Sequence, residues 1–96
     1  MIDVKTAIHT AQNYLSFIQD MLGDFENLRL EEVELSEDNK YWLITLGYDI
    51  PTRSQKPLMA IAGLTPQEGK VLTREYKIFK VNSETGAVEA MKIRKL

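Results

Sequence analysis

The 96-residue chain predicts an α+β domain, one N-terminal amphipathic helix packed on a four-stranded antiparallel sheet. Three observations carry that expectation. An apolar stripe with helical spacing opens the chain, the remainder alternates with the period of strands, and the last third holds two matching strand patterns around a Gly-containing turn. With 44% hydrophobic and 27% charged residues the composition is that of an ordinary globular chain, and half of it would be too short to bury a core, so one domain, 1–96, is expected.

The elements follow in order. Val4, Ala7, Ile8, Ala11, Leu15, Ile18 and Leu22 recur at steps of three and four, which sets them on one helix face. Asp3 is the expected N-cap, its carboxylate accepting from a free first-turn amide, and Gly23 the expected stop. Tyr14, Phe17 and Met21 widen the stripe and predict a broad partner such as a sheet. After Gly23 the period changes to two. Leu28 and Leu30 alternate with polar residues, as do Val33 and Leu35, but with opposite parity, which predicts a bulge or bend at Glu31 and Glu32. Ser36 to Asn39 reads as a turn. Lys40 to Ile50 carries Trp42, Ile44, Leu46 and Tyr48 on one face and Tyr41, Leu43 and Thr45 on the other, the pattern of a central strand.

From Asp49 to Lys70 the prolines Pro51, Pro57 and Pro66 and the glycines Gly63 and Gly69 predict interrupted structure. Pro57 to Leu64 fits a short helical turn, an edge strand or a buried plug equally well. Leu72 to Val81 and Ala87 to Leu96 read as a hairpin joined by Asn82 to Gly86, with Gly86 at positive φ. If Asn82 lies opposite Ala87, Tyr76 meets Ile93, Ile78 meets Met91 and Lys80 meets Glu89. That register puts Tyr76, Ile78, Met91 and Ile93 in the core and turns Lys77 and Lys92 outward.

The net charge of −2 conceals a polarity. Met1 to Asp38 holds nine acids against two bases, a balance of −7, and Asn39 to Leu96 ten bases against five acids, a balance of +5. Interleaving of the two halves in one sheet, with neutralisation across strands, is the favoured reading over a basic binding face. Without cysteine, disulfides, thiol catalysis and Cys-ligated zinc are excluded. The longest apolar run covers eight positions against the roughly 18 that span a bilayer, so no membrane insertion is expected. Met1 to Gln19 has no basic segment followed by an apolar core, and a cytoplasmic protein is expected.

Constellations able to carry chemistry are sparse. His9, the single imidazole, lies one position off the stripe beside Gln12 and Asn13, with no carboxylate to orient it, and is expected on the surface. Glu31, Glu32 and Glu34 belong to a strand whose consecutive residues point to opposite faces. Asp20, Asp24 and Glu26 lack the spacing of a calcium loop. The five glycines are isolated, so no phosphate cradle is present. Arg74, Lys77, Lys80, Lys92, Arg94 and Lys95 interleave with Tyr76 and Phe79, yet the acid excess and the missing helix-turn-helix or RNP-like string argue against nucleic acid. No catalytic residue, cofactor or metal site is assigned.

The stretch Tyr76-Lys77-Ile78-Phe79-Lys80-Val81-Asn82-Ser83-Glu84-Thr85-Gly86-Ala87-Val88-Glu89 resembles the closing hairpin of PepSY-type domains, an aromatic strand, an Asp or Asn, a Thr-Gly turn and a second strand. A long amphipathic helix followed by antiparallel strands is similar to that family and to cystatin-type folds, and the terminal hairpin is similar to one in a group of small bacterial immunity proteins. These resemblances imply a binding or inhibitory module without catalytic residues and transfer no site to any position. PepSY-like domains usually belong to exported or membrane-attached proteins, and the Pro-containing segment after the second strand departs from their pattern.

The functional expectation is therefore a non-enzymatic bacterial protein that binds another protein, such as an immunity or inhibitor-like protein, with room for a homodimer. The alternative is a small-ligand-binding or enzymatic domain using a cleft between helix and sheet. The expected partner site is the segment from Asp49 to Lys70 with the adjoining outer sheet face. There the aliphatic residues Leu58, Met59, Ile61 and Leu64 stand beside the cations Arg53 and Lys56, a mixture suited to an apolar anchor with a charged rim. The same four side chains could instead plug one end of the sheet, and the sequence weighs both equally.

Overall fold

Asp3 starts the helix as its residue type requires. In the computed structural model, which describes residues 1–53 and 70–95, its Oδ1 accepts from the Thr6 N–H at 2.8 Å and α1 runs over Val4–Phe17. A break at Ile18 precedes the single turn α2, Gln19–Leu22, and Gly23 at φ 89° turns the chain into the sheet. The strands β1 (Glu26–Leu35), β2 (Tyr41–Arg53), β3 (Lys70–Asn82) and β4 (Val88–Ile93) form an antiparallel sheet in sequence order. The architecture is α+β, with the helix covering one face of an open sheet.

β1 slips register between Leu30 and Glu32, at the expected bulge, so that Leu30, Val33 and Leu35 all lie beside inward residues of β2. β2 continues through Pro51, beyond the end expected from its proline. Its Tyr41 C=O accepts from Ser36 N–H, so odd-numbered residues of β2 turn their backbone groups toward β1. The last pair on that side is Glu26 with Asp49. The amide that Pro51 lacks would point past the end of β1, where no ladder bond is lost.

The core is built from Ala7, Ala11 and Leu15 of α1 against Ile44, Leu46 and Tyr48 of β2 and Phe79 and Val81 of β3, all fully buried. Two small alanines let the helix approach the sheet closely. The last hairpin departs from the expected register. Val81 pairs with Val88, and Asn82 N–H donates to Ala87 C=O, but Lys80 pairs with Ala90, Phe79 with Met91 and Lys77 with Ile93. Glu89 is the extra residue of a bulge. Phe79, Val81 and Lys77, paired without a slip to Ile44, Trp42 and Leu46 of β2, lie on the helix side and Tyr76 and Ile78 on the opposite side. The Lys77 ammonium stands 3.4 Å from the Glu75 carboxylate and 6.0 Å from the Tyr48 ring centroid. Ile93, expected in the core, is exposed. So are Phe17 and Met21, which do not widen the buried stripe.

The two turns at one end are tied together with the N-terminus. Ser83, fully buried, donates from Oγ to the Asn39 C=O at 2.7 Å, while its C=O accepts from Ile2 N–H and Trp42 Nε1–H donates to the Ile2 C=O. Asn82 Oδ1 accepts from Glu84 and Thr85 N–H and so folds the β3–β4 turn. Gly86 closes that turn at φ 76°, a conformation in which a Cβ is strained. Gly86→Ala is expected to cost about 1 kcal/mol or more, read as a lower denaturation midpoint with an unchanged far-UV spectrum; an unchanged midpoint would refute the strain.

Candidate functional site

The face of the sheet turned away from the helix is organised by two arginines of the second half of the chain reaching acids of the first. Arg74 on β3 crosses β2 at Gly47: its Nη2 donates to Glu31 Oε1 at 2.7 Å, and its Nη1 to the Asn27 C=O at 3.0 Å and Asp49 Oδ1 at 3.3 Å. A Cβ on Gly47 would stand 2.8 Å from Arg74 Nη2 and 2.9 Å from Glu31 Cγ, so the missing side chain is what opens the crossing. Arg94 reaches Glu32 at 2.8 Å and Thr45 Oγ1 at 3.3 Å. The opposite charges of the two halves thus neutralise across strands here, as the sequence favoured.

These contacts fix the titration of the groups involved. The Asn27 amide and then the Arg74 guanidinium hold the Asp49 carboxyl below the usual carboxylate range, against partial desolvation. Burial works to lower the Arg74 guanidinium, but its hydrogen bonds to Glu31 and Asp49 outweigh that and hold it above its ordinary value. Because Asp49 is depressed in the folded state, its contribution is present above the unfolded value near pH 3.9 and is lost as pH falls through the folded one. The gap in melting temperature between the parent and Asp49→Asn is therefore expected to shrink on acidification from about pH 6 to pH 3. A gap independent of pH would show that the clamp does not discriminate ionised from protonated Asp49.

The apolar surface lies elsewhere. Phe17, the last residue of α1, and Met21 in α2, across the break at Ile18, are 83% and 85% exposed. Tyr14, one turn before Phe17, is exposed at its outer side while its ring meets Phe79 edge-on at 6.0 Å. On β1 Leu30 and Val33 are also exposed, because α1 packs over β2, β3 and β4. The helical spacing of Tyr14, Phe17 and Met21 was legible in the sequence; that it belongs to the surface was not, since an outer apolar stripe and the flank of an inner one have the same period.

Of the residues expected to bind a partner, Arg53 is the last residue of β2, whereas Lys56, Leu58, Met59, Ile61 and Leu64 lie outside the described residues. His9 is exposed on α1. Among the described residues no group of three or more His, Asp or Glu is placed to hold a metal ion, and no helix is long and apolar enough to cross a membrane.

Between helix and sheet Ala7, Ala11 and Leu15 meet Ile44, Leu46, Tyr48, Phe79 and Val81, all fully buried. The Phe25 and Tyr48 rings stand 5.0 Å apart at one end of the layer, and burial raises the Tyr48 hydroxyl above its ordinary value, with no hydrogen-bond partner among the described residues. Two surface hollows are described outside this layer. One of about 390 Å3 lies between the two tied turns, and one of about 570 Å3 follows the edge of β3 past the end of β4. Compared with known proteins, the chain matches no family model, no curated protein and no solved structure.

Proposed function

We propose that the chain is a non-enzymatic protein-binding module, and the observation that carries this reading is the pair Phe17 and Met21. Single apolar side chains on a surface are ordinary, but an aromatic ring and a thioether four residues apart across the break at Ile18, each more than four-fifths exposed, form an adaptable anchor of the kind a partner buries. The fully buried side chains that meet between helix and sheet, among them Leu15, Ile44 and Phe79, support this reading over a ligand-binding or enzymatic cleft at that position. The resemblance to PepSY-like and cystatin-like domains and to small immunity proteins implies an inhibitory or immunity-like role of the same class. Arg53, Lys56, Leu58, Met59, Ile61 and Leu64 are a second docking element in this proposal, argued from their residue types alone.

The test is capture from a lysate of the native cell by the parent, by Phe17→Ser/Met21→Ser and by Leu58→Ser/Met59→Ser. The first double variant is expected to melt within about 3 °C of the parent and to lose the captured protein. Capture of the same proteins by parent and variant would overturn the anchor. For the second, retained stability with lost capture supports a docking element, whereas a large drop in stability assigns Leu58 and Met59 to the core.

A further inference from the structure

The hollow of about 570 Å3 is lined by the consecutive run 73–77 of β3 together with Ile93, Arg94 and Lys95. Consecutive strand residues point to opposite faces, so a hollow lined by five in a row follows the strand's backbone edge and not one of its faces. Arg94 N–H donates to Tyr76 C=O and Asn82 N–H to Ala87 C=O, which sets the backbone groups of even-numbered β3 residues toward β4. β4 ends at Ile93, opposite Lys77. The N–H and C=O groups of Leu72 and Arg74 therefore face outward beyond it, and no described residue pairs with them, while β2 holds the other edge of β3 as far as Lys70.

The side chains around this edge have a consistent chemistry. Ile93 is 71% and Leu72 45% exposed, which supplies apolar contact on the two faces. Of the cations around the hollow, Arg74 is paired with Glu31 and Asp49, Lys77 with Glu75 and Arg94 with Glu32. Lys95 and the neighbouring Lys92 are exposed and make no described ion pair. A second copy pairing by the same edge would bring this set of cations against itself.

We propose that β3 accepts an added strand along Leu72–Glu75 from an acidic, extended segment of a partner protein in which aliphatic residues alternate with carboxylates. The proposal rests on the protein-binding reading and names one chemistry for the partner. Backbone hydrogen bonds to Leu72 and Arg74 supply attachment, Leu72 receives the aliphatic side chains on the face turned from the helix, and Lys95 beside Ile93 meets the carboxylates on the other and selects the sign of charge.

The test uses the full chain and a fluorescein-labelled octapeptide of alternating valine and glutamate, with the valine–lysine octapeptide as control. The glutamate peptide is expected to bind at least about tenfold more tightly. At saturation the amides of Leu72 and Arg74 should exchange at least about tenfold more slowly, with Thr73 and Glu75, already turned to β2, unchanged. Leu72→Pro removes an outward N–H while leaving the ladder to β2, and should weaken binding at least about fivefold. Lys95→Glu, an exposed substitution that leaves every backbone bond in place, should weaken it at least about threefold. Equal affinity for both peptides, no binding, or slowed exchange elsewhere than at Leu72 and Arg74 overturns the proposal. Sedimentation showing a dimer that Leu72→Pro dissolves would assign the edge to a second copy instead. If the peptide fails while capture still depends on Phe17 and Met21, strand addition falls and the protein-binding reading stands. If the peptide binds as described and capture ignores Phe17 and Met21, the helix anchor falls and the edge stands.

Discussion

Phe79→Ala is expected to lower stability by about 3–5 kcal/mol, the cost of a large aromatic side chain lost from a close-packed interior, whereas Ile78→Ala, one residue away, should cost about 1 kcal/mol, as for a partly exposed aliphatic. Phe79 is fully buried between Ile44 and Met91, with the edge of Tyr14 against its ring. Ile78 stands on the other face opposite Thr45 and Lys92. The contrast is a direct test of which face of β3 meets the helix, a face set by the unbroken pairing of Phe79 with Ile44 and of Ile78 with Thr45. Were Tyr76 and Ile78 inward, as the expected hairpin placed them, the order of the two effects would reverse. Denaturant unfolding gives both numbers, and because a domain of this size holds roughly 5–10 kcal/mol in all, Phe79→Leu serves if the alanine variant is largely unfolded.

Ala11→Leu is expected to cost about 2–3 kcal/mol although it adds apolar surface, because the site has no room for it. Ala11 and Ala7 are fully buried on the inner side of α1, against strands whose own inner residues are large. An isobutyl group there forces the helix away from Ile44 and Phe79 or drives its own side chain off rotamer. Ser16→Leu, on an exposed position of the same helix, controls for helix propensity and should change stability by less than about 0.5 kcal/mol. A stabilising effect of Ala11→Leu would show that helix and sheet are not in close contact.

Much of the architecture was legible in residue types. Asp3 as cap, the Val4 to Leu22 stripe, the parity change at Glu31 and Glu32 and the two-sided apolar pattern of Tyr41 to Tyr48 each have a local cause and appear where expected. The register of the last hairpin was not legible, because both the expected and the observed pairings place apolar residues opposite one another near the turn. A single extra residue at Glu89 then exchanges the faces of everything beyond it. Pro51 misled for a related reason: whether a proline breaks a strand depends on which side its missing amide would face, and that is a property of where β1 ends.

The candidate surfaces were legible only in part. The charge polarity of the two halves foreshadowed Arg74 with Glu31 and Arg94 with Glu32, but the crossing at Gly47 required strand order to be known. Phe17 and Met21 had the right period and the wrong destination, whereas Tyr14 keeps an edge-on contact with Phe79. The edge of β3 depends on β4 being shorter than its partner, and no residue between Leu72 and Tyr76 announces that. Arg53, Lys56, Leu58, Met59, Ile61 and Leu64 stand as a proposal from sequence.

The most direct measurement of the protein-binding reading is chemical-shift mapping of the isotope-labelled chain, with labelled methionine methyls, during titration with the captured partner. The Met21 methyl and the amides from Tyr14 to Leu22 are expected to shift and broaden, while the amides of Leu15 excepted from that run, and of Ile44, Leu46 and Val81 in the sheet, keep their positions. Perturbations confined to Ile44, Leu46, Tyr48 and Phe79, with Met21 unmoved, would place the ligand between helix and sheet and contradict the account.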